Sequence, residues 1–207
     1  MIFTNRQHAG LLLAEKLAGY REKSAIVVGL ARGGVQVAGS VSSALSLPLD
    51  VLVVKKIPSP YQAEYAIGAL APNNVSIIHW PSAHRIGVDE AYIKEVISRQ
   101  QAEIRKKQAL YRKGRKPFNV AGKVIILVDD GAATGATLEA AVKWLKKKKA
   151  GKIVLAIPVA SVEAIRSLKP ETEEMVVLET PDEMGAVGQF YRSFTQVGDS
   201  EVVEALI

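Results

Sequence analysis

Positions 124–137 read Val124-Ile-Ile-Leu-Val-Asp129-Asp130-Gly131-Ala132-Ala133-Thr134-Gly135-Ala136-Thr137. A run of branched apolar residues bounded by Lys123 and Asp129 has the composition of a strand buried on both faces. Two adjacent carboxylates stand at its carboxyl end, followed by a loop of small residues with Thr134 and Thr137. Leu138-Glu-Ala-Ala-Val-Lys-Trp144-Leu145 continues as a helix, so the loop sits at a helix N-terminus. Free backbone N–H groups and the positive end of the helix dipole suit a phosphate there. Gly131, Ala132, Ala133, Gly135 and Ala136 leave room for it, and the two Thr hydroxyls can donate. Asp129 and Asp130 suit a pair of sugar hydroxyls, directly or through a divalent metal.

A second unit of the same kind lies upstream. Ala25-Ile-Val-Val-Gly-Leu30 predicts a buried strand, Ala31-Arg32-Gly33-Gly34 a tight loop, and Val35 to Leu47 a helix. Arg32 offers a fork of donors matched to phosphate oxygens. Neither the dinucleotide nor the Walker glycine spacing is present. By itself Arg-Gly-Gly is also what a plain turn looks like.

The 124–137 stretch resembles the 5-phosphoribosyl-1-pyrophosphate (PRPP) binding motif of type I phosphoribosyltransferases, and the Arg32 loop is similar to the loop that grips pyrophosphate in that family. The order Leu30-Ala-Arg-Gly-Gly-Val35, Val54-Lys-Lys-Ile57, Glu64 with Ala66-Ile-Gly-Ala69, the Asp-Asp motif and Gly188-Gln-Phe-Tyr191 looks like an uncharacterised bacterial and archaeal branch. The resemblance implies PRPP as donor, a nitrogenous base as acceptor and Mg2+ as cofactor, with Asp129 and Asp130 as metal and ribose ligands. It implies the 5′-phosphate on Ala132 to Thr137, and the pyrophosphate on Ala31, Arg32, Gly33, Gly34 and Lys56. The pyrophosphate loop of the family often carries a non-proline cis peptide, which a glycine-rich sequence suits. Tyr61, Glu64, Phe190 and Tyr191 are the candidates for contacting the base or closing over it. Two positions depart from the family. Gly131 stands where most members carry an aliphatic residue. Ala133 stands where members acting on oxopurines carry an Asp, which argues against hypoxanthine-guanine chemistry by that route.

The remaining elements are read from periodicity. Thr4 to Tyr20 predicts a helix capped by Thr4 or Asn5, with His8 as a packing or surface residue. Leu49 to Val54 and Tyr65 to Leu70 predict strands, and Pro58 to Glu64 between them a loop. Val75 to Trp80 reads as an edge strand. Asp89 caps a helix reaching Arg112, with Ile93, Val96, Ile97, Ile104 and Tyr111 as its apolar stripe. Lys152 to Ala160 and Met175 to Leu178 are further strands, Val162 to Leu168 a helix, and Asp199 the cap of a last helix to Ile207. Alternating strands and helices predict an α/β fold with a doubly wound parallel sheet. The 1–207 chain is expected to form one domain, with a helical arm at about 82–117 and a hood at about 179–207.

Composition limits the partners. There is no Cys in the 207 residues, which excludes disulfides, thiolate metal sites and Cys nucleophiles. Met1 to Asn5 lacks the character of a signal peptide and no apolar run approaches the ~18 residues of a membrane span, so a cytoplasmic protein is the expectation. A dimer is the default oligomer. The net charge is +6, with nine Lys or Arg between Arg99 and Lys123 against Glu103 alone. Such a run is more often a solvated helix face, and without interleaved aromatics it argues against nucleic acid as a partner. A PRPP-binding regulator that lacks transfer is the alternative reading.

Overall fold

The computed structural model describes residues 1–61 and 66–206. In chain order the elements are α1 (Arg6–Lys16), β1 (Ala25–Leu30), α2 (Gly33–Leu45), β2 (Leu49–Leu52), β3 (Lys55–Pro58), β4 (Ala66–Ala71) and β5 (Val75–Ile78). They continue with α3 (Trp80–Arg85), α4 (Glu90–Arg112), β6 (Val124–Val128), α5 (Ala136–Lys147), β7 (Lys152–Val159), α6 (Val162–Leu168), β8 (Glu174–Glu179) and α7 (Asp199–Ala205). Among the described residues no helix is long and apolar enough to cross a membrane.

Five strands form the central sheet in the order β2-β1-β6-β7-β8, all parallel. Every residue of β1 is buried, as are Ile125 to Val128 of β6, as expected for strands covered on both faces. The two-residue period of the pleat divides β6. Ile125 and Leu127 pack with Leu138, Leu145 and Leu155, while Ile126 and Val128 pack with Leu13, Val41 and Leu45 under α1 and α2. From β1 the chain passes to β2 on one side and later returns as β6 on the other. That reversal opens a crevice at the carboxyl ends of β1 and β6, where ligands of open α/β sheets bind.

Strands β3, β4 and β5 do not join this sheet. They form a separate antiparallel sheet in the order β3-β4-β5. Crossover helices are what make neighbouring strands parallel, and none lies between these three. The uninterrupted parallel sheet suggested by the sequence therefore stops at β2 and resumes at β6. Helix α3 was not evident from the sequence because Trp80-Pro81 reads as the end of a strand.

Helix α4 begins where expected, with Asp89 accepting the Tyr92 N–H at 2.8 Å. Ile93, Val96, Ile104 and Tyr111 are buried against Ile57, Ile67 and Leu70 of the small sheet and Val202 of α7. Each such side chain contributes about 1.5–3 kcal/mol of burial, enough to hold the arm on the body. The cap of α7 differs from expectation. Gly198 precedes the helix, and Asp199 is its first residue. The Asp199 carboxylate instead receives Lys107 and, at 2.7 Å, the Tyr111 hydroxyl, both from α4. A long-range pair of donors has taken the carboxylate away from its own backbone.

Candidate active site

The two glycine loops meet at the switch point. Register pairs Gly29 of β1 with Val128 of β6, so the segments leaving both strands run side by side. A Cβ on Gly33 would overlap Asp130 Oδ2, and one on Gly34 would lie 2.8 Å from Asp129 Cα and Oδ1. Only hydrogen can occupy those positions, so the glycines of one loop are required by the carboxylates of the other. The peptide between Ala31 and Arg32 is cis.

Asp130 is fixed from several directions. Arg6, buried at the first position of α1, donates from Nε to Asp130 Oδ2 at 2.8 Å and from Nη1 to the Thr195 carbonyl at 2.8 Å. Its guanidinium lies 3.8 Å above the Phe194 ring. The Tyr191 hydroxyl donates to the Asp130 carbonyl at 2.6 Å. Asp129 Oδ1 accepts the Asp130 N–H at 2.9 Å. Each carboxylate therefore keeps one oxygen that takes no hydrogen bond from the described residues.

Burial pushes the Asp129 carboxyl well above the ordinary carboxylate range, and the neighbouring Asp130 charge pushes it further; Arg6 and Lys56 pull the other way. Asp130 is also raised by burial, with Arg6 opposing. Two acids this close in a part-buried cleft make a region of concentrated negative potential, which a cation relieves.

The loop that follows is a cradle of unpaired donors. Among the described residues, no acceptor takes the N–H groups of Ala133, Thr134, Gly135, Ala136 or Thr137. Gly135 turns the chain into α5 with φ +77°, in the left-handed region. Ala132 departs from expectation. Its N–H donates to the Val159 carbonyl at 2.9 Å, because the loop bridges to the end of β7.

The other expected residues are dispersed. Arg32 is exposed at the start of α2, and its positive charge reaches the Tyr111–Asp199 pair. Lys56 is exposed on β3, close enough for its charge to act on Asp129. Tyr61 is 75% exposed. Glu64 lies outside the described residues. Phe190 is half-buried beside Phe3. Tyr191 is not open for stacking on a ligand: its ring packs 5.3 Å from Phe3 and 5.0 Å from Phe194, centroid to centroid, and its hydroxyl is spent on Asp130. Its place in the sequence suggested a surface for a base, but the apolar pocket under the hood claims the ring.

Residues 3–191 match the family model described as "Phosphoribosyl transferase domain". The chain belongs to the phosphoribosyl transferase domain family. It is 39% identical over 205 residues to the Mycobacterium tuberculosis protein named "Putative phosphoribosyl transferase Rv0571c", covering 99% of this chain and 46% of that one. The chain thus spans about half the length of the curated relatives it matches. A solved structure from Thermus thermophilus, that of the protein TT1426, is 39% identical with a TM-score of 0.82, covering 100% of this chain and 98% of that one. A purine phosphoribosyltransferase of Pyrococcus horikoshii shares the fold at 18% identity, with a TM-score of 0.52 over 93% of this chain and 92% of that one.

In this phosphoribosyl transferase-family chain the glycine at 131 has a physical account. A Cβ there would run into Val187 Cγ1. In this phosphoribosyl transferase-domain chain Val187 occupies the space that a side chain at position 131 would take. Neither Val187 nor Arg6 was singled out by sequence reasoning. Arg6 left a signal: it shares the buried stripe of α1 with Ala9, Gly10 and Leu13, and a cation on an apolar stripe needs a buried partner.

Proposed function

We propose that this chain is a phosphoribosyltransferase that moves the phosphoribosyl group of PRPP to a nitrogenous base and releases pyrophosphate. The observation that carries the reading is the contact of Gly33 and Gly34 with Asp129 and Asp130, beside a loop of five unpaired N–H groups. One cleft thus offers a phosphate cradle, a pair of diol acceptors and a second anion loop, which are the parts that PRPP needs.

The 5′-phosphate is assigned to the N–H groups of Ala133 through Thr137 with the Thr134 and Thr137 hydroxyls, at the positive end of α5. The ribose diol goes to the free oxygens of Asp129 and Asp130. The pyrophosphate is assigned to the Gly33 and Gly34 backbone, with the exposed Arg32 and Lys56 side chains as its cations. As the bond from C1 to pyrophosphate lengthens, the ring carbon becomes oxocarbenium-like and negative charge collects on the leaving group. Lys56 and Arg32 gain most in that state, so their stabilisation counts toward the rate and not only toward binding. The closeness of the acceptor nitrogen supplies the remainder.

Asp129 and Asp130 fit Mg2+. Each keeps one oxygen free, both are raised by burial, and Mg2+ is held by one or two carboxylates with water and substrate oxygens completing the shell. The described residues form no cluster of three or more potential protein ligands, which suits a metal shared with substrate. When bound it would neutralise the phosphates of the donor.

Pyrophosphate release from PRPP across a panel of purines, pyrimidines and their precursors tests the proposal. At least one base should support release, and Asp130→Asn should slow it by about 10²–10³-fold. Binding of PRPP without release for any base would make the chain a PRPP-binding regulator instead. Unchanged release by the Asn variant would remove Asp130 from the mechanism.

A further inference from the structure

The basic segment that follows Arg99 has no part in the cleft described above, and folding sets a second aromatic ring, from α5, beside its Phe118. A cavity of about 380 Å³ lies between α4, the Pro117–Val120 connection and the C-terminal end of α5. It is at the opposite pole from the PRPP cleft. The N-terminus of α5 carries the phosphate loop, and Trp144 and Lys148 at its other end line this cavity. At about 1.5 Å rise per residue, Trp144 lies about 12 Å along the helix from Ala136 at its start.

The lining has a definite chemistry. Trp144 and Phe118 contribute aromatic rings, Phe118 being 47% exposed. Arg105, Arg112 and Lys148 contribute positive charge, and among the described residues no carboxylate lines the cavity. Arg112 is committed to Asp50 at 2.9 Å. Arg105 and Lys148 form no ion pair among the described residues, and Lys148 Nζ stands 5.8 Å from the Trp144 ring centroid. Carboxamides complete the wall. Gln101 is buried and uses Oε1 to accept the Asn74 N–H at 2.8 Å, which leaves its NH2 as a donor; Gln108 and Asn119 stand beside it. Ring faces, cations without an ion-pair partner among the described residues, and carboxamides are the features that recognise a planar heterocycle bearing phosphate. The volume falls in the range of small-ligand sites.

We propose that this cavity is a second binding site, for a nucleotide. Its base stacks on Trp144 or Phe118 with its edge on Gln101, Gln108 or Asn119, and its phosphates are held by Arg105 and Lys148. The cavity accommodates one nucleotide unit, which favours a free nucleotide over a strand.

Trp144 is a built-in reporter. In a Trp80→Phe background it is the sole tryptophan. Adenosine 5′-diphosphate should quench its fluorescence saturably, with at least tenfold weaker binding in Arg105→Glu/Lys148→Glu. Adenosine alone and inorganic phosphate should each bind at least tenfold more weakly than the diphosphate. Saturating PRPP should leave the titration in place, which separates this site from the cleft. Both charge reversals are on exposed side chains, and a circular dichroism spectrum checks that the variant folds. The proposal is overturned if Trp144 is not quenched saturably, if the double reversal changes nothing, or if PRPP abolishes the signal. It is also overturned if single-stranded RNA binds far more tightly with a steep salt dependence, because the region would then be a nucleic-acid surface.

Discussion

Asp130 is held on one side by Gly33 and on the other by Tyr191 and by Arg6, which Thr195 and Phe194 in turn hold. The glycine side is made of two neighbouring strand ends whose register is fixed by a continuous parallel ladder. The hood side is made of α1 and the segment around 187–197, and its grip on Asp130 spans 124 residues through Arg6 and 61 through Tyr191. The first side needs only small residues placed close together. The second needs a buried cation, an aromatic stack and a buried hydroxyl all satisfied at once. The loop of unpaired N–H groups is thus a local product of strand, loop and helix, whereas fixing the carboxylate beside it takes the closed tertiary structure.

That difference can be broken from the glycine side first. In Gly33→Ala the new methyl would overlap Asp130 Oδ2, which Arg6 prevents from swinging away. PRPP affinity should fall about 100-fold by calorimetry, equivalent to about 2.7 kcal/mol and within the range of overpacking penalties. Retained affinity would show that Asp130 is free to move and that the hood does not fix it.

From the hood side, Arg6→Ala removes the only ion-pair partner Asp130 has among the described residues and leaves a mostly buried charge unpaired. Loss of a buried partner costs about 3 kcal/mol of stability, measured by denaturant unfolding. Because Arg6 also holds the Thr195 carbonyl, the hood should lose amide protection around Phe194. A cost under about 0.5 kcal/mol, the range of ordinary surface substitutions, would mean that the clamp is idle.

The smallest effect tests whether the two sides are coupled. Gly131→Val places a side chain where Val187 already sits, at about 1–3 kcal/mol of overpacking. Adding Val187→Ala should recover most of that loss, giving a non-additive pair in a double-mutant cycle. Additive losses would show that motif and hood do not share this volume.

Much of the site was legible in the sequence, because its logic is local. The β6 run, the acid pair, the small-residue loop and the helix behind it are contiguous, and the order of strand, glycine loop and helix around Arg32 repeats the pattern. Val35 to Leu47 and Lys152 to Ala160 were correctly typed but misplaced by a residue or two, as expected for element ends. What could not be read was the partner of each polar group. Ala132 spends its N–H on Val159, Asp199 gives its carboxylate to α4 instead of its own helix, and Tyr191 turns its ring inward.

The chain's one-dimensional pattern therefore determined the α/β class and the two strand–glycine loop–helix units, since hydrophobic period and glycine spacing act over a few residues, while the family came from the resemblance of its motifs. Tertiary structure alone decided that β3, β4 and β5 stand apart as an antiparallel sheet, that Arg6 closes on Asp130, and that Val187 fills the space above Gly131. It also brought Trp144 of α5 to the basic segment, beside the segment's own Phe118. Those outcomes depend on which distant groups meet when apolar surfaces close and buried polar atoms must find partners.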